Sequence, residues 1–252
     1  MNITGNTIFI PGATSGIGLA LALRLQAKGN TVVVGGRRTE LLEKLAAEHG
    51  FATVRIDTAD PASVTAAVRE VLDRHPDLNV LIAMAGIMRV EDWRTPGFLA
   101  DAEEIVTTNL LGPIRLIAAL TEHLSTRPGA AIVTVSSGLA HAPLRVTPSY
   151  NATKAAIHML SETLRLQLAD TGVQVIELVP PAVRTALLPG QETSDFAMPL
   201  DEFADEVMAL LETDPGAPEV LVERVKFLRF GEVRGDYDKV VATLNAADPH
   251  TH

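Results

Sequence analysis

A chain of 252 residues with 47% apolar side chains has the size and composition of one domain around a substantial core. Its 31 acidic residues against 21 basic ones give a formal net charge of −10, which argues against nucleic acid as a partner, since phosphate backbones are gripped by clustered Lys and Arg. Cysteine is absent, so disulfides and thiolate metal sites are excluded and a reducing, cytoplasmic setting is expected. No signal-peptide order or membrane-length apolar run is visible, so no membrane association is expected. The 7 histidines are scattered without ligand spacing, and no metal is expected.

Asn6 to Pro11 reads as a short β-rich run. Gly12-Ala-Thr-Ser-Gly16-Ile-Gly18 follows, and Leu19, Leu21, Ala22 and Leu25 then recur at helical spacing. Further strands are predicted near 31–36, 51–57, 79–83, 130–136 and 173–179. Helices are predicted near 16–28, 39–48, 61–74, 101–126 and 149–170. In the last of these, Ala152, Ala155, Ala156, Met159, Leu160, Thr163, Leu164 and Leu168 make the helical stripe. Strands alternating with helices imply an α/β fold, a doubly wound parallel sheet with helices on both faces, in one domain spanning 1–252. Beyond Thr185 the pattern weakens. Residues 201–212 look helical, 218–222 strand-like, and 236–244 could form a last helix; 226–230 has no assignment.

Tyr150 and Lys154 lie at i and i+4, which puts both on one face of a helix. A free phenol titrates near pH ~10 and is a poor base at neutral pH. A close ammonium favours the phenolate and lowers that pKa, by ~1–3 units for a tight pair. A serine hydroxyl at Ser137, after Ser136 at the end of an apolar run, could hold a substrate oxygen against the phenol, which is general acid–base chemistry. Alone, Tyr-x-x-x-Lys is more often an aromatic ring covered by a lysine stem, and Ser-Gly after a strand is ordinary turn chemistry. The glycine turn between a strand and a helix changes that balance. Glycines let the chain approach phosphate closely, and the helix N-terminus offers free N–H groups to a pyrophosphate. The spacing is G-x-x-x-G-x-G rather than G-x-G-x-x-G.

Taken in order from about Asn6 to Thr185, these motifs resemble the short-chain dehydrogenase/reductase family, whose fold is a single-domain Rossmann fold. The resemblance implies cofactor contacts from Gly12, Thr14, Ser15, Gly16, Ile17 and Gly18. It adds Asp57 against the adenine, Ala85-Gly86 at the end of the fourth strand, and Pro180, Val183 and Thr185 after the sixth. It implies a catalytic set of Asn109, Ser137, Tyr150 and Lys154, with Tyr150 and Lys154 also touching the cofactor and Asn109 holding a water that links Lys154 to solvent. Within the family the chain is similar to the bacterial branch related to the DltE-type oxidoreductases, which also carry Pro-Pro after the sixth strand. Residues 186–215 correspond to the family's substrate lid. Three positions depart from the pattern: Ala83-Met84-Ala85-Gly86 replaces Asn-Asn-Ala-Gly, Pro11 stands where Thr is usual, and Pro180-Pro181 replaces Pro-Gly.

The second strand ends Gly35-Gly36-Arg37-Arg38. An NAD enzyme of this fold places an acid there for the ribose 2′-OH. Here Gly36 stands at that place, and Arg37 and Arg38 could grip a 2′-phosphate, although they could equally be a solvated helix cap. The expectation is therefore an oxidoreductase that uses NADP(H) and transfers hydride to or from a carbonyl or alcohol carbon of a small molecule. Its rival is a non-catalytic NADP-binding regulator, against which an intact triad argues. Arg145, between Ser137 and Tyr150, is either a ligand for an anionic substrate or an ordinary solvated arginine. The family implies a homodimer or homotetramer joined through helices 101–126 and 149–170.

Overall fold

In the computed structural model, which describes residues 1–246, the β-branched runs form one parallel sheet of seven strands. These are β1 (Thr7–Pro11), β2 (Thr31–Gly36), β3 (Ala52–Arg55), β4 (Val80–Ala83), β5 (Ala131–Val135), β6 (Gln174–Leu178) and β7 (Glu219–Val220). They lie in the order β3-β2-β1-β4-β5-β6-β7. Strands covered on both faces must be apolar along their whole length, and β1, β4 and β5 are buried at every position. The expected doubly wound α/β domain is therefore present; residues 247–252, the end of its expected span, lie outside the described residues.

Helices α1 (Gly16–Ala27), α2 (Thr39–His49) and α7 (Leu200–Thr213) pack on one face through Leu21, Leu25, Leu42, Leu45, Phe203 and Val207. On the other face, α3 (Pro61–Arg74) and α5 (Gly112–Leu124) contribute Val64, Val68, Val71, Leu116, Leu120 and Leu124, and α6 (Pro148–Gln167) adds Leu164. The sheet order reverses between β1 and β4. At such a switch point the neighbouring loops leave toward opposite faces and open a crevice beyond the strand ends.

Pro11 is tolerated in a central strand because the pairing of β1 with β4 involves only Ile8 and Phe9, and Gly12 resumes the ladder on the other side with N–H to Gly35 O at 2.8 Å. Gly12 itself has φ +92°, and a Cβ there would sit 2.6 Å from the Ala85 backbone. Glycine is what allows the β1 and β4 ends to close against one another.

Strand and helix bounds match the sequence expectations to within a few residues, with four instructive differences. The expected helix 101–126 starts at Phe98 as α4 (Phe98–Val106), passes through a π turn at Thr107–Leu111 and continues as α5. A π turn adds a residue to one turn, which a 3.6-residue periodicity does not reveal. The stripe expected on α6 is split: Leu164 and Leu168 pack against the core, while the fully buried positions of the helix are others. Tyr150, Thr153, Lys154, Ile157 and Ser161 are buried, whereas Ala152, Ala155, Met159 and Thr163 are exposed. The sheet-facing side is polar because its groups are paired, for example Ser161 Oγ with Thr134 Oγ1 at 2.6 Å.

The expected lid, 186–215, divides. Leu187 to Ala197 covers a cavity, but α7 packs into the core and is tied to α1 by Arg24 bridges to Asp201 and Asp205 at 3.0 and 2.7 Å. The unassigned stretch forms two short helices, α8 (Lys226–Arg229) and α9 (Gly231–Arg234), before α10 (Tyr237–Ala246). No helix among the described residues is long and apolar enough to cross a membrane.

Candidate active site

Four residues expected to act together do meet. β5 delivers Ser136 and Ser137 at its C-terminal end, and α6 brings Tyr150 and Lys154 against it. The start of α6 is anchored by a residue that the sequence reading missed. Buried Glu91 accepts from Ser149 N at 2.8 Å and from Ser149 Oγ at 2.6 Å. A carboxylate at a helix N-terminus satisfies open N–H groups and faces the positive end of the dipole, and here it fixes the residue before Tyr150. No local motif marks Glu91, because it acts across 58 positions.

Ser137 Oγ accepts from Leu139 N at 3.1 Å, which leaves its own proton to donate outward, and it is hydrogen-bonded with Tyr150. Lys154 is 6% exposed. Its Nζ donates to Val135 O at 2.8 Å and lies 5.4 Å from the centroid of the Tyr150 ring. Burial pushes the Lys154 pKa down to about 8, opposed by the charge of Glu177. Burial pushes the Tyr150 pKa up to about 12, opposed by the Ser137 hydrogen bond. The sequence reading expected Lys154 to lower the phenol pKa. In the cofactor-free chain desolvation outweighs that effect, because the phenolate would be formed away from water.

Asn109 is buried on the π turn, and its amide is bonded to Ile87. Oδ1 accepts from Ile87 N at 2.8 Å and Nδ2 donates to Ile87 O at 2.8 Å. These bonds brace the loop after β4, and Gly86 lies between Asn109 and Lys154. One amide N–H and one oxygen lone pair of Asn109 remain beyond the two given to Ile87.

Around the crevice, the glycine turn leads into α1 with Ser15 extended and without a side-chain cap, so the first N–H groups of α1 are not capped by it. Thr185 meets Gly16 across the crevice, 3.4 Å from where a Cβ would stand. A Cβ at Gly36 would lie 2.4 Å from Thr14 Cγ2, so an acid at the end of β2 would require the Thr14 side chain to move. Arg37 and Arg38 are exposed, form no ion pair among the described residues, and Arg38 Nη2 reaches Thr14 Oγ1 at 3.5 Å. These features fit a nicotinamide dinucleotide with its pyrophosphate at the α1 N-terminus.

Two expected contacts are more restricted. Val183 is buried and its carbonyl accepts from Gln191 Nε2 at 2.6 Å, so its side chain belongs to the core. Asp57 Oδ1 accepts from Ala59 N at 3.0 Å, a turn-stabilising bond that leaves the other oxygen for an adenine. Ile17 is half-buried against the core.

Beside Ser137 and Tyr150 lies a cavity of about 110 Å³. Leu139, Leu144, Leu188, Phe196, Leu228 and Leu244 form its walls, and among the described residues no charged side chain lines it. Asn245 on α10 closes one side by accepting from Arg145 N at 2.7 Å and donating to Pro143 O at 3.0 Å. Arg145 is exposed and is not part of the lining.

This fold and site define a nicotinamide-dependent oxidoreductase of the Rossmann type. The short chain dehydrogenase family profile matches residues 6–195, and the chain belongs to that family. It is 39% identical over 257 aligned positions, 98% of this chain and 100% of the relative, to the uncharacterized oxidoreductase DltE of Bacillus subtilis. It is 35% identical over 176 positions, 69% of this chain and 70% of the relative, to serine 3-dehydrogenase of Agrobacterium fabrum. A short chain dehydrogenase from Burkholderia cenocepacia solved in complex with NADP superposes with a TM-score of 0.81 at 28% identity, covering 97% of this chain and 99% of that one.

The raised Tyr150 pKa gives a testable pH dependence. The unfolded chain releases this phenol proton near pH ~10, the folded cofactor-free chain near about 12. Between those values unfolding releases a proton, so stability falls as pH rises through the window. Alkaline difference spectroscopy is expected to show a phenol titrating near about 12 that Tyr150→Phe removes. A spectrum unchanged by that substitution would contradict the burial argument.

Proposed function

We propose that the chain is an NADP(H)-dependent dehydrogenase/reductase acting on the C=O or CH–OH group of a small, uncharged, largely apolar molecule. The observation that carries this reading is the buried set of Ser137, Tyr150 and Lys154 opening onto a cavity without charged lining. A reduced nicotinamide supplies the hydride. The chain supplies a place for the carbonyl oxygen and a proton for it.

The Ser137 hydroxyl donates to the substrate oxygen and holds it against the phenol. Tyr150, protonated at neutral pH, donates its proton as charge develops on that oxygen; in alcohol oxidation it accepts the proton instead. Lys154 counters the negative charge on the phenol oxygen, and its N–H groups beyond the one given to Val135 are available to a ribose hydroxyl. A carboxylate or phosphate on the substrate would enter the cavity without a cation to meet it, a desolvation cost that an apolar group does not incur. This sets the chain apart from a relative named for serine, which carries both charges.

The exposed guanidinium groups of Arg37 and Arg38, with glycine rather than an acid at Gly36, support NADP(H) over NAD(H). We also read the outward faces of α4, the π turn, α5 and α6 as a twofold contact, since Leu99, Val106, Leu111, Ile114 and Met159 are between 38% and 60% exposed there.

Three measurements check these statements. By calorimetry NADPH is expected to bind at least ~10-fold more tightly than NADH, about 1.4 kcal/mol, with Arg37→Ala removing most of the difference; equal affinities in the unmodified protein would reverse the cofactor assignment. NADPH oxidation is expected with neutral alkyl or aryl aldehydes and ketones rather than their carboxylated analogues, and Tyr150→Phe is expected to lower turnover by ~10²-fold or more. Near-normal turnover by that variant would place the proton donor elsewhere. Light scattering at micromolar concentration should give at least twice the monomer mass of 26.8 kDa, and the monomer mass alone would refute the twofold contact.

A further inference from the structure

Four side chains outside the cavity lining converge just behind the catalytic serine. His141 follows the tight turn at 138–140, His158 lies one helical turn beyond Lys154 on α6, Glu177 sits in β6 and Glu219 in β7. One donor atom from each lies within 4.8 Å of the donor atoms of the others. The two imidazoles meet edge to face with centroids 4.5 Å apart. Glu177 is 0% exposed. His141 Nε2 is shielded from solvent and has no hydrogen-bond partner. Buried nitrogens are nearly always paired, and an orphan calls for a partner such as an ion.

The charges around the cluster are also unbalanced. Glu177, Glu219 and Glu162, whose Oε1 is 3.7 Å from His158 Nε2, face two cations, Arg229 and Lys154. The carboxylates outnumber the cations, a balance that favours a bound cation over an anion.

We propose that His141, His158, Glu177 and Glu219 form a site for one divalent ion of the zinc type. Two imidazoles and two carboxylates without thiolate are a donor set that zinc accepts in four-coordinate geometry. Zinc–donor bonds of about 2.0–2.2 Å put tetrahedral donors about 3.4 Å apart, a contraction from the present spread that side-chain rotations can supply. The ion takes the place of the proton between His158 Nδ1 and Glu177 Oε2, 2.8 Å apart, and a neutral ring then carries its proton on Nε2, which faces Glu162 Oε1 at 3.7 Å.

Arg229 need not leave Glu219. It holds the two carboxylate oxygens at 2.8 and 3.1 Å, and each oxygen keeps a second lone pair. Together with the Ser136 hydroxyl on Glu177, it acts as the outer partner that orients a ligating carboxylate. Since none of the four ligands lines the cavity, the ion is structural. It clips β6, β7 and α6 to the segment leaving Ser137.

The test uses the full-length protein dialysed against chelator. Titration with Zn²⁺ against a chromophoric chelator is expected to show one ion per chain. Co²⁺ is expected to give the visible absorption of a four-coordinate nitrogen and oxygen site. Zinc-edge X-ray absorption of the unmodified protein should count two imidazoles, a readout that requires no variant to fold. His141→Ala, checked for folding by circular dichroism, should weaken binding by at least ~10-fold, the scale seen even for outer partners. Binding undiminished in His141→Ala would put the ion on the remaining histidines and overturn the proposal. Absence of binding to the unmodified protein would overturn it too, leaving the cluster two hydrogen-bonded pairs, His158 with Glu177 and Arg229 with Glu219.

Discussion

Lys154 is buried with no carboxylate in contact among the described residues, and the neighbouring elements are arranged around that fact. A lone cation out of water is costly unless its N–H groups find oxygens and a counter-charge lies near. Val135 provides the oxygen at the end of β5. Glu177, itself buried in the neighbouring strand, provides the opposing charge that resists the downward pull of burial on the Lys154 pKa. Holding the ammonium there requires α6 to dock with a polar face toward the sheet. That face is satisfied by Thr134, Ser161 and Thr153, whose hydroxyls all have partners.

The same docking sets the phenol. Glu91 fixes the first turn of α6, and Ser137 comes from the strand that also offers Val135. Phenol and ammonium are thus held by α6 and the hydroxyl by the end of β5, both braced by hydrogen bonds to the backbone. Asn109 takes part in this bracing, since its amide bonds both polar groups of Ile87 and steadies the loop that carries Gly86. It does so from within the π turn. The local distortion thus supports the crevice at the sheet's switch point.

The cavity is made by segments that share no motif. Loop 187–197, the turn after Ser137, α8 and α10 each lend apolar side chains, and Asn245 ties the last helix to the loop at Pro143. Apolar walls without a charge give discrimination by what they refuse: an ionic group would lose its hydration and gain no partner. The first half of the chain, with the glycine turn and Arg37 and Arg38, is instead built for a charged ligand at the surface.

The strand and helix alternation, the glycine turn, the absence of an acid at Gly36, and the Ser137, Tyr150 and Lys154 set were all legible in the sequence. Each is a local pattern whose spacing reflects backbone periodicity or close backbone approach. The buried face of α6 was not, because its sheet-facing residues are polar and become compatible with burial only through partners from other strands. Glu91 and Glu177 were invisible for the same reason, as were the π turn at Asn109 and the division of 186–215 into cavity cover and core helix. The scattered histidines show the limit most plainly. His141 and His158 are 17 positions apart, and Glu177 and Glu219 lie farther along still, yet parallel strands and one helix bring them within 4.8 Å of one another. Spacing along a chain records only what neighbouring residues do. Burial, charge balance and convergence are set by elements distant in sequence, so the tertiary structure alone decides them.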